Sequence, residues 1–331
     1  MSDSFSPLHK ATTDFAFADY TSIPRFDRDE AGAIARFPSH PTVAVVGATG
    51  YLGRSAVDAL AIHRIPTVAV HRDTRWTPPY PARSAVACLE DPDSLRRAFC
   101  GVDAIIHAAS YIGSVPTECI RTNVAGTAHA LSAAIACGAR TFIYFSTVGV
   151  YGDGPHTVDH RSSIEPRPVT ELSRSRYAAE RLVLEAGGTV LRLGFVHGRG
   201  DKTFLPGLAR IISGLGVLVN EGRARQSVVS IGDVGRVTVG VLAHAGAARG
   251  QVLNVCSPAA VRTSALVDTV VDQGLLAARP TASVSFDEAL VIASKSGLTP
   301  RHVDLVGHDH IYDEQQVWAL TGLTANARSW P

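Results

Sequence analysis

The stretch Thr42-Val-Ala-Val-Val-Gly47-Ala-Thr-Gly50-Tyr-Leu-Gly53 decides the fold. Its first half is a β-branched apolar run of strand length that ends in glycine. Its second half opens a helical pattern with Leu52, Ala56 and Leu60 on one face. Each glycine has a physical reason. Gly47 permits a tight turn, Gly50 lets the backbone approach a pyrophosphate with no Cβ in the way, and Gly53 lets the helix lie close to the sheet. Free N–H groups at the helix start then meet phosphates with a partial positive charge. Strand, turn and helix in this order predict a dinucleotide-binding unit. Gly47, Thr49, Gly50, Tyr51, Leu52 and Gly53 are its candidate cofactor residues.

Outward from this unit the chain alternates. Strand-like runs stand at Thr67–Val70, Ser84–Cys88, Ala104–His107, Thr141–Phe145, Thr189–Leu193 and Val252–Val255. Helical patterns stand between them at Pro92–Phe99, Glu118–Cys137, Ser173–Ala186 and Val234–Ala245. Such alternation predicts an α/β fold, a Rossmann-type doubly wound parallel sheet covered on both faces. The reading places the dinucleotide-binding domain at 41–196, with 233–257 returning to it. Segments 197–232 and 258–331 break the alternation and form a smaller substrate lobe that closes over the carboxyl ends of the strands. Residues 1–40 read as a polar N-terminal extension with one short helix over Asp27–Phe37 and no assigned role.

The second strand runs into Val70-His71-Arg72-Asp73. A carboxylate at the strand end suits the ribose of NAD, whereas an arginine suits the extra phosphate of NADP. Arg72, with His71 beside it and Arg75 close behind, favours NADP(H). Asp73 remains a ribose acceptor if the strand ends later.

Further segments carry a resemblance. Gly101-Val-Asp-Ala-Ile-Ile-His107-Ala-Ala109, Asn123-Val-Ala-Gly126-Thr127, Phe145-Ser-Thr147-Val-Gly149-Val-Tyr151-Gly152, Val190-Leu-Arg192 through Gly198, Ile231-Gly-Asp233-Val234 and Leu320-Thr-Gly-Leu323 together resemble the extended short-chain dehydrogenase/reductase family. That group contains epimerases, dehydratases and 4-ketoreductases. The resemblance covers roughly residues 42–330. It implies that His107, Ala108 and Ala109 line the cofactor and that Thr147 holds the catalytic Ser/Thr position. The family's acidic residue after the third strand appears as Cys88-Leu89, which leaves Leu89 at an adenine-side position. Its catalytic tyrosine comes in Tyr-x-x-x-Lys, and Tyr177-Ala-Ala-Glu-Arg181 is the match taken here, with Glu185 following and arginine at the lysine position. Tyr177 and Arg181 would share one helix face and would both catalyse and touch the cofactor. The competing reading is a packing aromatic and a surface charge. A nucleotide-sugar enzyme would carry an arginine at Gln226, which here has Arg225 and Arg223 nearby.

The composition excludes other classes. Net charge is +1, with 46% hydrophobic and 18% charged residues, which gives no field for nucleic acid or an acidic membrane surface. Five cysteines without a CxxC pair argue against disulfides and zinc, and fit a reducing cytoplasm. No apolar run is long enough to span a membrane. His156 and His160 read as loop residues near the substrate entrance. His308 and His310 flank Asp309 without a third ligand, so no metal is expected.

The reading is then a cytoplasmic, NADP(H)-dependent ketoreductase of secondary metabolism, such as antibiotic biosynthesis, acting on a nucleotide 4-keto-deoxysugar or another small-molecule ketone. Tyr177 would give the proton and Thr147 would bond the carbonyl. The resemblance also implies a homodimer through the helices at Glu118–Cys137 and Ser173–Ala186. The alternatives are an epimerase or hydroxysteroid-type dehydrogenase on the same scaffold, and a non-enzymatic NADP-binding sensor, which Arg181 motivates. A dehydratase is disfavoured because Val148 and Gly149 follow Thr147 where carboxylates would stand.

Overall fold

A computed structural model describes residues 41–78, 82–157 and 164–325. The short helix expected over Asp27–Phe37, and His160, lie outside the described residues. Seven strands form the main sheet among the described residues: β1 (Val43–Val46), β2 (Thr67–His71), β3 (Arg83–Val86), β4 (Ala104–His107), β5 (Thr141–Thr147), β6 (Thr189–Leu193) and β7 (Val252–Val255). Their order is β7-β6-β5-β4-β1-β2-β3, and every neighbouring pair is parallel. The strand order reverses between β1 and β4. The loops leaving those two strands diverge there and open a crevice.

Helices α1 (Tyr51–Ile62), α2 (Pro92–Phe99), α3 (Gly126–Ala136) and α4 (Glu171–Glu185) follow the strands. The helix expected over Glu118–Cys137 is continuous from Pro116 to Ala136, with π-type hydrogen bonding over Cys119–Ala125 and right-handed helical backbone at the junction with α3. Helix α4 starts two residues earlier than expected. Thr170 caps it, accepting from the Ser173 N–H, while Ser173 reaches back to Thr170. Helices α2, α3 and α4 bury Leu95, Phe99, Leu131 and Leu182 against one face of the sheet. The other face packs Leu60 of α1 and Val237 of α6 (Ile231–Ala243) against Ile106, Phe145 and Leu191. A separate core joins α5 (Phe204–Leu215), α7 (Thr263–Asp272), α8 (Phe286–Lys295) and α9 (Pro300–Gly307) through Leu208, Ile212, Leu266, Val270 and Val303. Among the described residues no helix is long and apolar enough to cross a membrane.

A buried ion pair fixes how α4 sits on the sheet. Glu180 is fully buried, and Arg192 of β6 holds its carboxylate with bonds of 2.6 and 3.1 Å. The Ser146 hydroxyl of β5 donates to the same carboxylate at 2.5 Å. One turn earlier, the Asn123 amide donates to the Ser175 hydroxyl at 2.9 Å. The helix is therefore held on two elements at once.

His107 stands elsewhere than the resemblance implies. It does not line the crevice. Along β4, Ala104 and Ile106 point to one face and Ile105 to the other, and His107 follows Ile105 into the core under α3. It lies against Phe142 and Tyr144, fully buried. Thr127 gives its hydroxyl proton to the Asn123 carbonyl at 2.6 Å, so its oxygen accepts from His107 Nε2 at 3.1 Å. His107 Nδ1 has no partner, so the ring is neutral.

Burial lowers the His107 pKa from 6.5 to about 3. Between those values the unfolded chain binds a proton that the folded chain does not. This contribution is complete above about pH 6.5 and is lost as pH falls toward about 3. Urea unfolding of His107→Leu across this range should show a shallower acid loss of stability than wild type. A second prediction concerns the ion pair. Arg192→Met leaves Glu180 buried without a partner, and unfolding free energy should fall by about 3–5 kcal/mol. Adding Glu180→Leu should recover much of that loss in the same denaturation experiment.

Candidate functional site

A cleft of about 1660 Å³ opens at the carboxyl ends of β1, β4, β5 and β6 and extends to α5 and α9. The turn after β1 forms one end. Gly47 has φ +83°, and a Cβ there would meet the Ala109 backbone at 2.8 Å. A Cβ on Gly53 would run into the Gly47 carbonyl. These two glycines, with Ala109, are needed by the packing. Gly50 differs: it is exposed, it meets nothing closer than the Gly47 carbonyl at 3.3 Å, and no side chain caps α1. An open backbone at an uncapped helix start suits a pyrophosphate, so the site fits a nicotinamide dinucleotide.

Thr49, Gly50, Tyr51 and Leu52 line this end of the cleft, and Ala108 lines it from β4. The Tyr51 hydroxyl donates to the Gly198 carbonyl at 3.4 Å. Burial first, and then the Asp201 carboxylate, push its pKa well above the ordinary phenol range. Arg72 stands exposed just past β2 and outside the cleft wall. Asp73 is occupied locally, accepting from the Arg75 N–H at 3.0 Å. His71 turns inward, with Nε2 2.7 Å from the Ser84 hydroxyl and its ring edge-on to Trp76. Leu89 is corrected as His107 was. Its side chain is buried in the core, where a Cβ on Gly126 would strike it.

Thr147 ends β5 and faces the cleft. Its oxygen accepts from the Gly149 N–H at 3.1 Å, which leaves its own proton free to donate into the cleft. The expected partners are not beside it. Tyr177 and Arg181 do not line the cleft, and Arg181 is half exposed with Glu185 at 4.0 Å. The α4 residues that do line it, with Ser146 and Thr147, are Leu172 and Arg176. Leu172, Arg176 and Glu180 form one stripe spaced by four residues, and the Arg192 pair of Glu180 fixes that stripe toward the sheet ends. Tyr177 and Arg181 lie 100° around the helix. The Tyr-x-x-x-Lys positions are thus filled by Leu172 and Arg176, which the sequence reading missed. The signal was the Thr170–Ser173 cap, which brings Leu172 inside the helix.

The lobe supplies the remaining wall. Phe204, Leu208 and Ile211 of α5, Leu266 of α7 and Leu305 and Val306 of α9 are apolar and face the cleft. Gln226 also faces it, donating to the His308 carbonyl at 3.0 Å. Arg225 is turned outward onto Asp309 at 3.2 Å, and Arg223 pairs with Glu221 at 2.7 Å. His156 is buried outside the cleft lining, its Nε2 3.3 Å from the Gly152 carbonyl. His308 and His310 both approach Asp304, at 2.7 and 3.6 Å. Among the described residues no group of three ligands is placed to hold a metal.

Residues 43–256 match the NAD dependent epimerase/dehydratase family. The chain is 32% identical over 176 residues to the 4-hydroxy-2-methyl-3-oxo-4-farnesyl-3,4-dihydroquinoline-1-oxide ketoreductase of Stigmatella aurantiaca, covering 50% of this chain and 53% of that one. It is 27% identical over 189 residues to the 3 beta-hydroxysteroid dehydrogenase/Delta 5-->4-isomerase of vaccinia virus (strain Western Reserve), covering 48% and 53%. The chain thus spans about half the length of the curated relatives it matches. The solved structure of MoeE5 in complex with UDP-glucose and NAD superposes with a TM-score of 0.64 at 23% identity, covering 86% of this chain and 94% of that one. That likeness shows the fold.

Proposed function

We propose that this chain, which belongs to the NAD dependent epimerase/dehydratase family, is an NADP(H)-dependent reductase of a ketone on a small, largely apolar molecule of secondary metabolism. The observation that carries this reading is the cleft itself. It joins an open phosphate-binding turn to an apolar lobe wall, with the Thr147 hydroxyl facing in between. Gln226 in the wall and Arg225 turned away favour an apolar ketone over a nucleotide sugar, whose diphosphate would need a cation there. The ketoreductase and steroid-dehydrogenase relatives support the same substrate class.

The cofactor, when bound, supplies the hydride. The protein does the rest. Thr147 donates a hydrogen bond to the carbonyl oxygen and carries part of its developing charge. The lobe wall holds the apolar body and excludes water around it. In this reading Tyr177 is not the acid, which its place outside the cleft lining supports. Arg176 holds a permanent cation at the reacting end and cannot release its proton. The alcohol proton therefore comes from water at the open side of the cleft. A second reading has one specific observation behind it. Leu172 stands where the resemblance puts a tyrosine, which favours a protein that binds NADP(H) without turnover.

Arg72 is the NADP determinant in this reading. NADPH should bind about 10- to 100-fold tighter than NADH, the range of a charge-assisted phosphate contact. Fluorescence titration of both cofactors into wild type and Arg72→Asp checks this, and equal wild-type affinities defeat the NADP assignment. Turnover is checked with NADPH and a panel of apolar ketones. Thr147→Ala should lower kcat by roughly 10²–10³-fold. Tyr177→Phe and Arg181→Ala should leave both kcat and NADPH affinity within about twofold. Bound NADPH that no ketone consumes would select the non-catalytic reading.

A further inference from the structure

The apolar lobe wall contains a polar notch. Gln226 and Thr263 line the cleft with Leu266, Leu305 and Val306, and each of the two is 2% exposed. The Gln226 backbone is held on both sides, antiparallel to Val261 and parallel to His310. One contact orients its side-chain amide. Nε2 donates to the His308 carbonyl at 3.0 Å, which an oxygen in its place could not do. Oε1 is therefore the other end of the amide, and it is buried with no hydrogen-bond partner. Thr263 is fixed at the start of α7 by its backbone N–H, which donates to the Ala224 carbonyl at 2.7 Å. Its hydroxyl oxygen accepts from Gln226 Nε2 at 3.5 Å, and its own proton meets no acceptor among the described residues. A buried amide oxygen without a donor is costly, and folded proteins nearly always satisfy it. Here an acceptor and a donor, both unsatisfied, stand together in the wall that receives the substrate. Neither belongs to the cofactor end, which Thr49, Gly50, Tyr51, Leu52 and Ala108 form.

We infer that Gln226 and Thr263 bind a neutral polar group of the substrate that both donates and accepts, a hydroxyl being the simplest, carried on the apolar body apart from the reacting carbonyl. Gln226 Oε1 accepts its proton, and the Thr263 hydroxyl donates to its oxygen. The neutrality follows from the surroundings. An anion would set lone pairs against Oε1, which has no proton to give. A cation would enter a cleft whose charged lining is arginine and lysine, with Asp58 the one carboxylate among the described lining residues. The separation follows from the elements. Thr147 ends β5 of the main sheet, whereas Gln226 and Thr263 stand on segments of the lobe. A ligand without such a group would bury Oε1 and the hydroxyl unpaired. The notch therefore selects against the purely apolar analogue as well as for the hydroxylated one.

The inference rests on the reading of the lobe as the substrate wall, but its test does not depend on turnover. The probes are 2-decanone, a series of its derivatives each with one hydroxyl at a different carbon of the distal half of the chain, and the methyl ether of each. All are titrated calorimetrically into protein saturated with NADP+, which cannot reduce them. The tightest hydroxyketone should bind about 10- to 100-fold tighter than 2-decanone, the range of two ordinary hydrogen bonds. Its methyl ether, which accepts but cannot donate, should lose most of that gain. Gln226→Met, which keeps the length of the side chain without the acceptor, should erase the preference and leave the affinity for 2-decanone within about twofold. Thr263→Val should lose part of the preference. No hydroxyketone tighter than 2-decanone, an ether as tight as its alcohol, or a preference intact in either variant overturns the inference. An equal loss of affinity for 2-decanone and its hydroxyl derivative in Gln226→Met also overturns it, because that is the mark of a structural role. A protein that reduces 2-decanone with NADPH but shows no hydroxyl preference keeps the reductase reading and loses this inference. One that prefers the hydroxyketone through Gln226 yet consumes no NADPH with any ketone keeps the notch and loses the reductase reading.

Discussion

The chemistry available at the reacting end of the cleft is set by the rotation of one helix, and a buried ion pair sets that rotation. Glu180 has no exposure to water, and its carboxylate is held by Arg192 and Ser146 on two neighbouring strands. Removing either partner leaves an uncompensated charge in the core. Turning α4 by one residue, about 100°, would bring Tyr177 and Arg181 toward the cleft. It would also carry Glu180 away from Arg192 and Ser175 away from Asn123. The ion pair therefore selects Leu172 and Arg176 for the wall.

The opposite side of the cleft obeys a different constraint, which is steric. Gly47 lies against the backbone of Ala109, and Gly53 lies over the Gly47 carbonyl, so β1, α1 and the end of β4 close on one another with no room for a Cβ. Gly50 alone keeps an open side. These demands are local, each readable from the residue and its neighbours. For that reason the βα unit, the strand alternation and the parallel doubly wound sheet were all legible in the sequence.

What was not legible depends on distant partners or on the start of an element. Arg192 lies twelve residues beyond Glu180 on another element, and no local pattern announces their pairing. A helix begun at Ser173 leaves Leu172 outside it, and then Tyr177-x-x-x-Arg181 is the natural pair to choose. The Thr170–Ser173 cap corrects the start by two residues and makes Leu172 and Arg176 available. His107 fails for another reason. The motif around it suggests a cofactor contact, but the two-residue period of β4 sends it with Ile105 into the core. Strand alternation outranks motif resemblance there, because the side-chain direction is fixed by the backbone.

Leu172 and Arg176 make sense only together. A tyrosine beside a lysine supplies a proton to the oxygen that gains charge. A leucine beside an arginine supplies hydrogen bonds and a fixed positive charge, and gives up no proton. In the proposed reduction the oxygen's charge must then be stabilised where it forms, and this works best where water and mobile ions are few. Arg176 is nearly enclosed and Leu172 adds apolar surface beside it, so the cation acts in such a medium.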